Sequence, residues 1–255
     1  MAAEVRRGAA PALALLLALL PVCAGFEARG GCRFFLDTAD TAEYKSLLPL
    51  GLFTGVTTNP TILERAGVPC TVPAIHALAT EAFDLGAEEF MAQAWGGAAD
   101  KLVETGLQLR AFDPKRLVVK LPITMAGVEA AGRLMREPEG GTRICLTACY
   151  GSTQALIAGA AGAEYLAPYL GRMTDSGKDG FDECERMQSI VEGLDCETRI
   201  LVASIRDAVS MANLACSGLD TFTFSPAVAR ALFDEPLTDA AAAAFAAAAE
   251  ATRTP

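Results

Sequence analysis

Residues 117–136 read LVVKLPITMAGVEAAGRLMR, and the change of rhythm inside this stretch decides the fold. Leu117 to Pro122 is a short apolar run with adjacent valines, which suits a strand covered on both faces. After the break at Pro122, the apolar residues of Ala126 to Arg136 recur at helical spacing. The strand-like run has counterparts along the chain: Arg33 to Asp37, Phe53 to Thr57, Glu89 to Ala94, Arg143 to Thr147, Glu164 to Pro168, Arg199 to Ser204 and Thr221 to Phe224. Helical patterns separate them over Asp40 to Leu50, Val72 to Leu85, Ala98 to Phe112, Ser152 to Ala161, Gly180 to Leu194 and Asp207 to Cys216.

Eight strand–helix units in about 200 residues predict an α/β protein, a compact (β/α)8 TIM barrel rather than an open doubly wound sheet. A dinucleotide-binding sheet would carry G-x-G-x-x-G after the first strand, and the sequence lacks it there. Asp239 to Thr252 predicts an alanine-rich C-terminal helix with Phe245 as its one large apolar residue. Such a helix buries little alone, so it packs on the barrel floor, packs on a neighbouring subunit or stays solvated.

Of the 255 residues, 52% are hydrophobic and 20% charged, the composition of an ordinary globular domain. The 31 acidic residues outnumber the 21 basic ones, giving a net charge of -10 without any basic run, so no nucleic-acid surface is expected. The single histidine, His76, removes Ser-His-Asp chemistry and a His-bound catalytic zinc, and reads as a packed or surface residue of a helix. Eight cysteines without a C-x-x-C pair remove zinc ribbons and thioredoxin-type redox chemistry. Neither a metal nor a cofactor is expected.

The amino terminus reads as a separate targeting segment, residues 1–25, with the barrel domain over residues 26–255. Arg6 and Arg7 precede an apolar stretch from Ala9 to Leu20, too short for the roughly 20 residues of a membrane span, and Cys23-Ala24-Gly25 offers a cleavage site. This segment predicts the secretory route or a plastid reached through it. Cytoplasmic location is the alternative, because removing Cys23 leaves an odd number of cysteines and the chain has no N-x-S/T acceptor.

Polar residues gather at the carboxyl ends of the predicted strands, where parallel barrels place their chemistry. Asp37 ends the first run, Thr57-Thr58-Asn59 ends the second, and Gln93 lies near the end of the third. Lys120 lies on the fourth, Thr147 ends the fifth, Tyr169 follows the sixth and Ser204 ends the seventh. One such residue alone is usually a helix cap or turn former. Alternation puts Lys120 on the face of Val118 and Pro122, the barrel interior or its rim. Burying an ammonium is costly, which favours a free amine, and a free amine in an apolar pocket attacks carbonyls. Structural pairing with Asp37 and binding of a phosphate as a point charge are the alternatives for Lys120. Arg172 and Arg206, with Ser204, could hold a phosphate, although either arginine alone suits a surface loop equally well.

The segments FFLDTAD, GVTTNPT, VVKLPIT, TACYGSTQA, AGAEYLAPYLGR and LVASIRD, in this order, resemble the transaldolase family, and specifically its small fructose-6-phosphate aldolase branch. The resemblance runs from Arg33 to about Pro236. It implies a metal-free class I aldolase whose Schiff-base lysine is Lys120. It also implies that Asp37 moves protons beside the scissile bond and Asn59 meets the donor hydroxyls. Gln93, Thr147 and Tyr169 match the residues that hold a catalytic water, and Arg172 and Ser204, with Arg206 as helper, match the phosphate contacts. Transaldolases proper carry Glu in place of Gln93 and Phe in place of Tyr169, so both positions follow the aldolase branch. A transaldolase and a non-catalytic sugar-phosphate-binding barrel are the alternative readings. The implied partners are a sugar phosphate substrate and further copies of the chain, since small members of the family form pentamers stacked into decamers.

Overall fold

The structure is a computed structural model that describes residues 31–138 and 140–253. The expected targeting segment, residues 1–25, lies outside the described residues. Eight strands close into one parallel barrel in chain order. They are β1 (Arg33–Asp37), β2 (Phe53–Thr57), β3 (Glu89–Gln93), β4 (Leu117–Pro122), β5 (Arg143–Cys149), β6 (Tyr165–Pro168), β7 (Arg199–Val202) and β8 (Thr221–Phe224). The helices are α1 (Thr41–Leu47), α2 (Pro60–Arg65), α3 (Val72–Asp84), α4 (Ala99–Arg110), α5 (Met125–Met135), α6 (Thr153–Ala161), α7 (Leu170–Asp175), α8 (Gly180–Gly193), α9 (Ala208–Cys216), α10 (Pro226–Ala231) and α11 (Pro236–Thr252). No helix among the described residues is long and apolar enough to cross a membrane.

The eight expected strands all form, and their limits shift for local reasons. β7 stops at Val202 because Ser204 takes a left-handed φ of 58°, which cannot continue a strand. β5 runs on to Cys149 through an irregular register beside β6, where Ala148 has a φ of 57°. Two short helices, α2 and α10, were not in the pattern read from the sequence. Each is a capped start: the side chains of Asn59 and Ser225 accept from Ile62 N and Val228 N, and Pro60 and Pro226 occupy the first turns. A third short helix absent from that pattern, α7, follows β6 directly.

Side chains divide into two packed layers, as strand alternation requires. Residues such as Leu36, Val56, Phe90, Val119, Leu121 and Leu146 point outward into the layer shared with the helices. Phe35, Met91, Val118, Cys145, Tyr165, Ala167 and Leu201 form a separate inner cluster, each 0% exposed. Below it, charges close the floor: the buried Glu89 carboxylate accepts from Arg33 Nη1 at 3.1 Å, Arg143 Nη2 at 2.8 Å and the Tyr165 hydroxyl at 2.9 Å. Two guanidinium groups and a phenol offset the cost of burying that carboxylate.

The barrel wall leaves no room at Gly55, where a Cβ would lie 2.0 Å from the Glu89 carbonyl oxygen of the neighbouring strand. Gly55→Ala is therefore expected to lower stability by about 1–3 kcal/mol through strand displacement, measured by urea unfolding. An unchanged midpoint would show that β2 and β3 can separate freely.

His76 packs as an ordinary helix residue, stacked on Phe112 at 4.8 Å with Nε2 at 3.2 Å from the Leu109 carbonyl oxygen. All seven cysteines among the described residues are free. The alanine-rich helix α11 begins at Pro236, three residues earlier than expected, and buries none of its side chains; Leu237 and Phe245 are 79% and 74% exposed in the single chain.

Candidate active site

The inner layer predicts where the chemistry falls. Two residues beyond Phe35, Met91, Val118, Cys145 and Ala167, on the same inward face, stand Asp37, Gln93, Lys120, Thr147 and Tyr169. Five of the expected residues thus come from five strand ends and converge above the inner cluster. Lys120 is 2% exposed and sits between Gln93 of β3 and Cys145 of β4's other neighbour, β5. Its nitrogen forms no ion pair and no hydrogen bond among the described residues. Burial pushes the Cys145 thiol up to about 12, so it stays protonated beside the amine and does not compete as a nucleophile.

Asp37 closes β1 at the rim. Thr57 Oγ1 donates to its Oδ1 at 2.6 Å, and Thr57 Oγ1 in turn lies 2.6 Å from Thr223 Oγ1. Because the single proton of Thr57 points to the carboxylate, Thr223 is the donor in the second contact. Burial raises the affinity of Asp37 for a proton above the ordinary carboxylate value. The charges of Lys120, Arg172 and Arg65 and the Thr57 hydrogen bond oppose that rise without cancelling it. A carboxyl held this way is suited to take up and release a proton.

On the opposite wall the Thr147 hydroxyl and the Tyr169 hydroxyl are 3.1 Å apart. Tyr169 is wedged between Tyr150, edge-on at 5.6 Å between centroids, and the Arg172 guanidinium, 4.9 Å over its ring. Thr147 is fully buried, while Gln93 and Tyr169 are partly exposed. Two hydroxyls in mutual contact can together hold a water beside them.

A pocket of about 370 Å³ opens from Asp37 outward, lined also by Asn59, Arg65, Arg172, Ser204 and Arg206. The Oδ1 of Asn59 is occupied as the cap of α2, accepting from Ile62 N at 3.0 Å, which leaves its amide protons for the pocket. Thr58 does not line that pocket: it is 1% exposed and its hydroxyl donates to the Met91 carbonyl at 3.2 Å, so it braces β2 against β3. Ser204 owes its place to the left-handed backbone noted above, which turns it back toward α7. Gly171 N donates to the Ser204 carbonyl at 3.0 Å, and a Cβ on Gly171 would come within 2.4 Å of that oxygen. Arg206 forms an ion pair with Asp175 across the same mouth.

Sequence reasoning placed Thr57 at its strand end without a role, and missed Thr223 and Arg65. Alternation along β8 could have found Thr223. Arg65 required α2 to be recognised from Asn59-Pro60, since only that helix brings it to the mouth. A larger cavity, about 840 Å³, lies at the other end of the barrel, and its cations Arg33 and Arg199 are already paired with Glu89 and Asp220.

A closed parallel barrel whose strand ends bring an enclosed lysine, a proton-holding carboxyl and a pocket of arginines to one mouth defines a (β/α)8-barrel enzyme. The family described as Transaldolase/Fructose-6-phosphate aldolase matches residues 34–254. A "Probable transaldolase" of Caulobacter vibrioides is 35% identical over 207 residues, covering 81% of this chain and 91% of the relative. One of Dinoroseobacter shibae is 34% identical over 213 residues, covering 84% and 94%. In architecture the chain resembles a lyase/mutase candidate from Burkholderia cenocepacia J2315, with a TM-score of 0.56 at 15% identity over 81% of this chain and 80% of that one; this likeness concerns the fold alone. The chain belongs to the transaldolase/fructose-6-phosphate aldolase family and is an enzyme of that family, an aldolase or a transaldolase.

Proposed function

We propose that the protein is a Schiff-base aldolase that cleaves or forms a ketose phosphate, converting fructose 6-phosphate to dihydroxyacetone and glyceraldehyde 3-phosphate. The observation that carries this reading is the unpaired, enclosed amine of Lys120 on the same inward face as Asp37 and Gln93. Lys120 attacks the C2 ketone and, with loss of water, forms an iminium that accepts the electrons of the C3–C4 bond. Asp37 takes the proton of the C4 hydroxyl as that bond breaks, and the aldehyde departs with its phosphate toward Arg172 and Ser204. The enamine left on Lys120 is protonated at C3 by way of a water held at Thr147 and Tyr169. Attack of water on the resulting iminium then frees dihydroxyacetone and the amine. Gln93 cannot ionise and acts as a neutral orienter, whereas the Tyr169 hydroxyl can pass a proton, and this pair favours hydrolysis over retention of the fragment.

The names of the relatives favour a second reading, a transaldolase that hands the dihydroxyacetone unit to a sugar aldehyde. Both readings share every step up to the enamine. Incubation with fructose 6-phosphate alone is expected to release glyceraldehyde 3-phosphate over many turnovers, with erythrose 4-phosphate raising the rate less than about tenfold. Release limited to one equivalent per site until erythrose 4-phosphate is added would make the enzyme a transaldolase.

The targeting reading of residues 1–25 stands as part of the same proposal: a mature barrel delivered along the secretory route or to a plastid, with a cytoplasmic enzyme as the alternative. A homo-oligomer, pentamer or decamer, is likewise proposed on the resemblance.

A further inference from the structure

Three guanidinium groups line the mouth pocket, and they are not equally free. Arg206 is held in an ion pair by Asp175. Arg172 donates to the Tyr150 hydroxyl at 3.5 Å and lies over the Tyr169 ring. Arg65, exposed in the last turn of α2, lines the same pocket yet forms no ion pair and no side-chain hydrogen bond among the described residues. It lines this pocket together with Asp37, which puts it on the substrate side of the helix.

An arginine at a helix carboxyl end is often there for the helix dipole. Here the surroundings ask more of it. A phosphate dianion presents three oxygens and needs several charge-assisted donors. Arg206 must first leave Asp175, and Arg172 must share its fork with two phenol rings. Arg65 can turn its five N–H groups to an anion without breaking any contact in the protein. In a chain of net charge -10, a pocket lined by three arginines and one carboxylate, with Ser204 and Ser225, is a built attraction for an anion.

We propose that Arg65 is a specificity-determining residue that contacts the phosphate of the aldehyde half of the substrate, so that the enzyme selects phosphorylated over unphosphorylated aldehydes. The proposal rests on the aldolase or transaldolase reading for its substrate, and on the pocket alone for its anion. In the synthetic direction, with dihydroxyacetone as donor, Arg65→Gln is expected to lower the ratio of kcat/KM for glyceraldehyde 3-phosphate over glyceraldehyde by about 10- to 100-fold, with the loss in KM for the phosphate ester. Arg65→Lys should recover part of that ratio. A change in the field at Asp37 would act on both aldehydes alike and leave the ratio where it was, so an unchanged ratio overturns the proposal while the aldolase reading survives. Calorimetric titration of the full chain with inorganic phosphate supplies the independent readout: Arg65→Gln is expected to weaken binding by about tenfold or more. Equal phosphate affinity in parent and variant overturns the proposal. Weakened phosphate binding without turnover of either aldehyde supports the anion site and refutes the reaction.

Discussion

Lys120→Met is expected to lower turnover by a factor on the order of 10,000 or more while leaving the barrel at least as stable as the parent. The first half follows from position. Lys120 is 2% exposed on the inward face, whereas Lys45, Lys101, Lys115 and Lys178 are all exposed at the surface and none lines the mouth pocket. The second half follows from solvation: an enclosed ammonium without an ion-pair partner costs free energy, and a methionine of similar length fills the same space without that cost. Thermal unfolding should therefore show an equal or higher Tm for the variant. Borohydride reduction in the presence of fructose 6-phosphate should add the donor fragment to the peptide holding Lys120 in the parent and to nothing in the variant. An adduct on another lysine, or turnover within about tenfold of the parent, would remove Lys120 from the reaction.

Asp37→Asn is expected to lower kcat by about 100- to 10,000-fold, the usual span for loss of a positioned acid–base group. It keeps an oxygen that can accept from Thr57, so the barrel rim should survive. Its effect on stability carries a sign that an ordinary surface carboxylate would not show. Burial raises the proton affinity of Asp37 in the folded state above its ordinary value of 3.8. The native state therefore binds more protons than the unfolded chain between 3.8 and the raised native value, and parent stability falls as pH rises through that window. Asparagine does not titrate. The variant should unfold at a higher temperature than the parent at neutral pH, and the difference should shrink as pH is lowered toward 3.8. A variant less stable than the parent at pH 7 would mean that the ionised carboxylate is a net support of the fold, held by Lys120 and the arginines.

The fold was legible because the chain changes rhythm so regularly. Leu117 to Pro122 matched β4 at both ends, and the first, second and eighth runs matched β1, β2 and β8 in the same way. The face taken by the strand-end residues was legible for a related reason: alternation from a buried neighbour, Val118 for Lys120 or Phe35 for Asp37, fixes it. What escaped lay between the periodic segments. Helices α2, α7 and α10 have six residues each, too few for a helical period to show; caps announce α2 and α10, and α7 has no side-chain cap to announce it. Arg65 rides on one of them. The engagement of Thr58 with the Met91 carbonyl is a contact across 33 residues of sequence, which local pattern cannot reveal. The branch markers Gln93 and Tyr169 were readable only through a resemblance, because their meaning lies in what relatives carry there.

The charged floor of Glu89, Arg33, Arg143 and Tyr165 makes the barrel a blind tube. Everything that reaches Lys120 enters and leaves by one doorway, past the same arginines. On the proposed mechanism, the first product must vacate before a second molecule can approach the fragment still fixed to the amine. For transfer of the fragment from fructose 6-phosphate to an acceptor aldehyde, double-reciprocal plots should accordingly be parallel, and the fate of the fragment becomes a race at the door between water and that aldehyde.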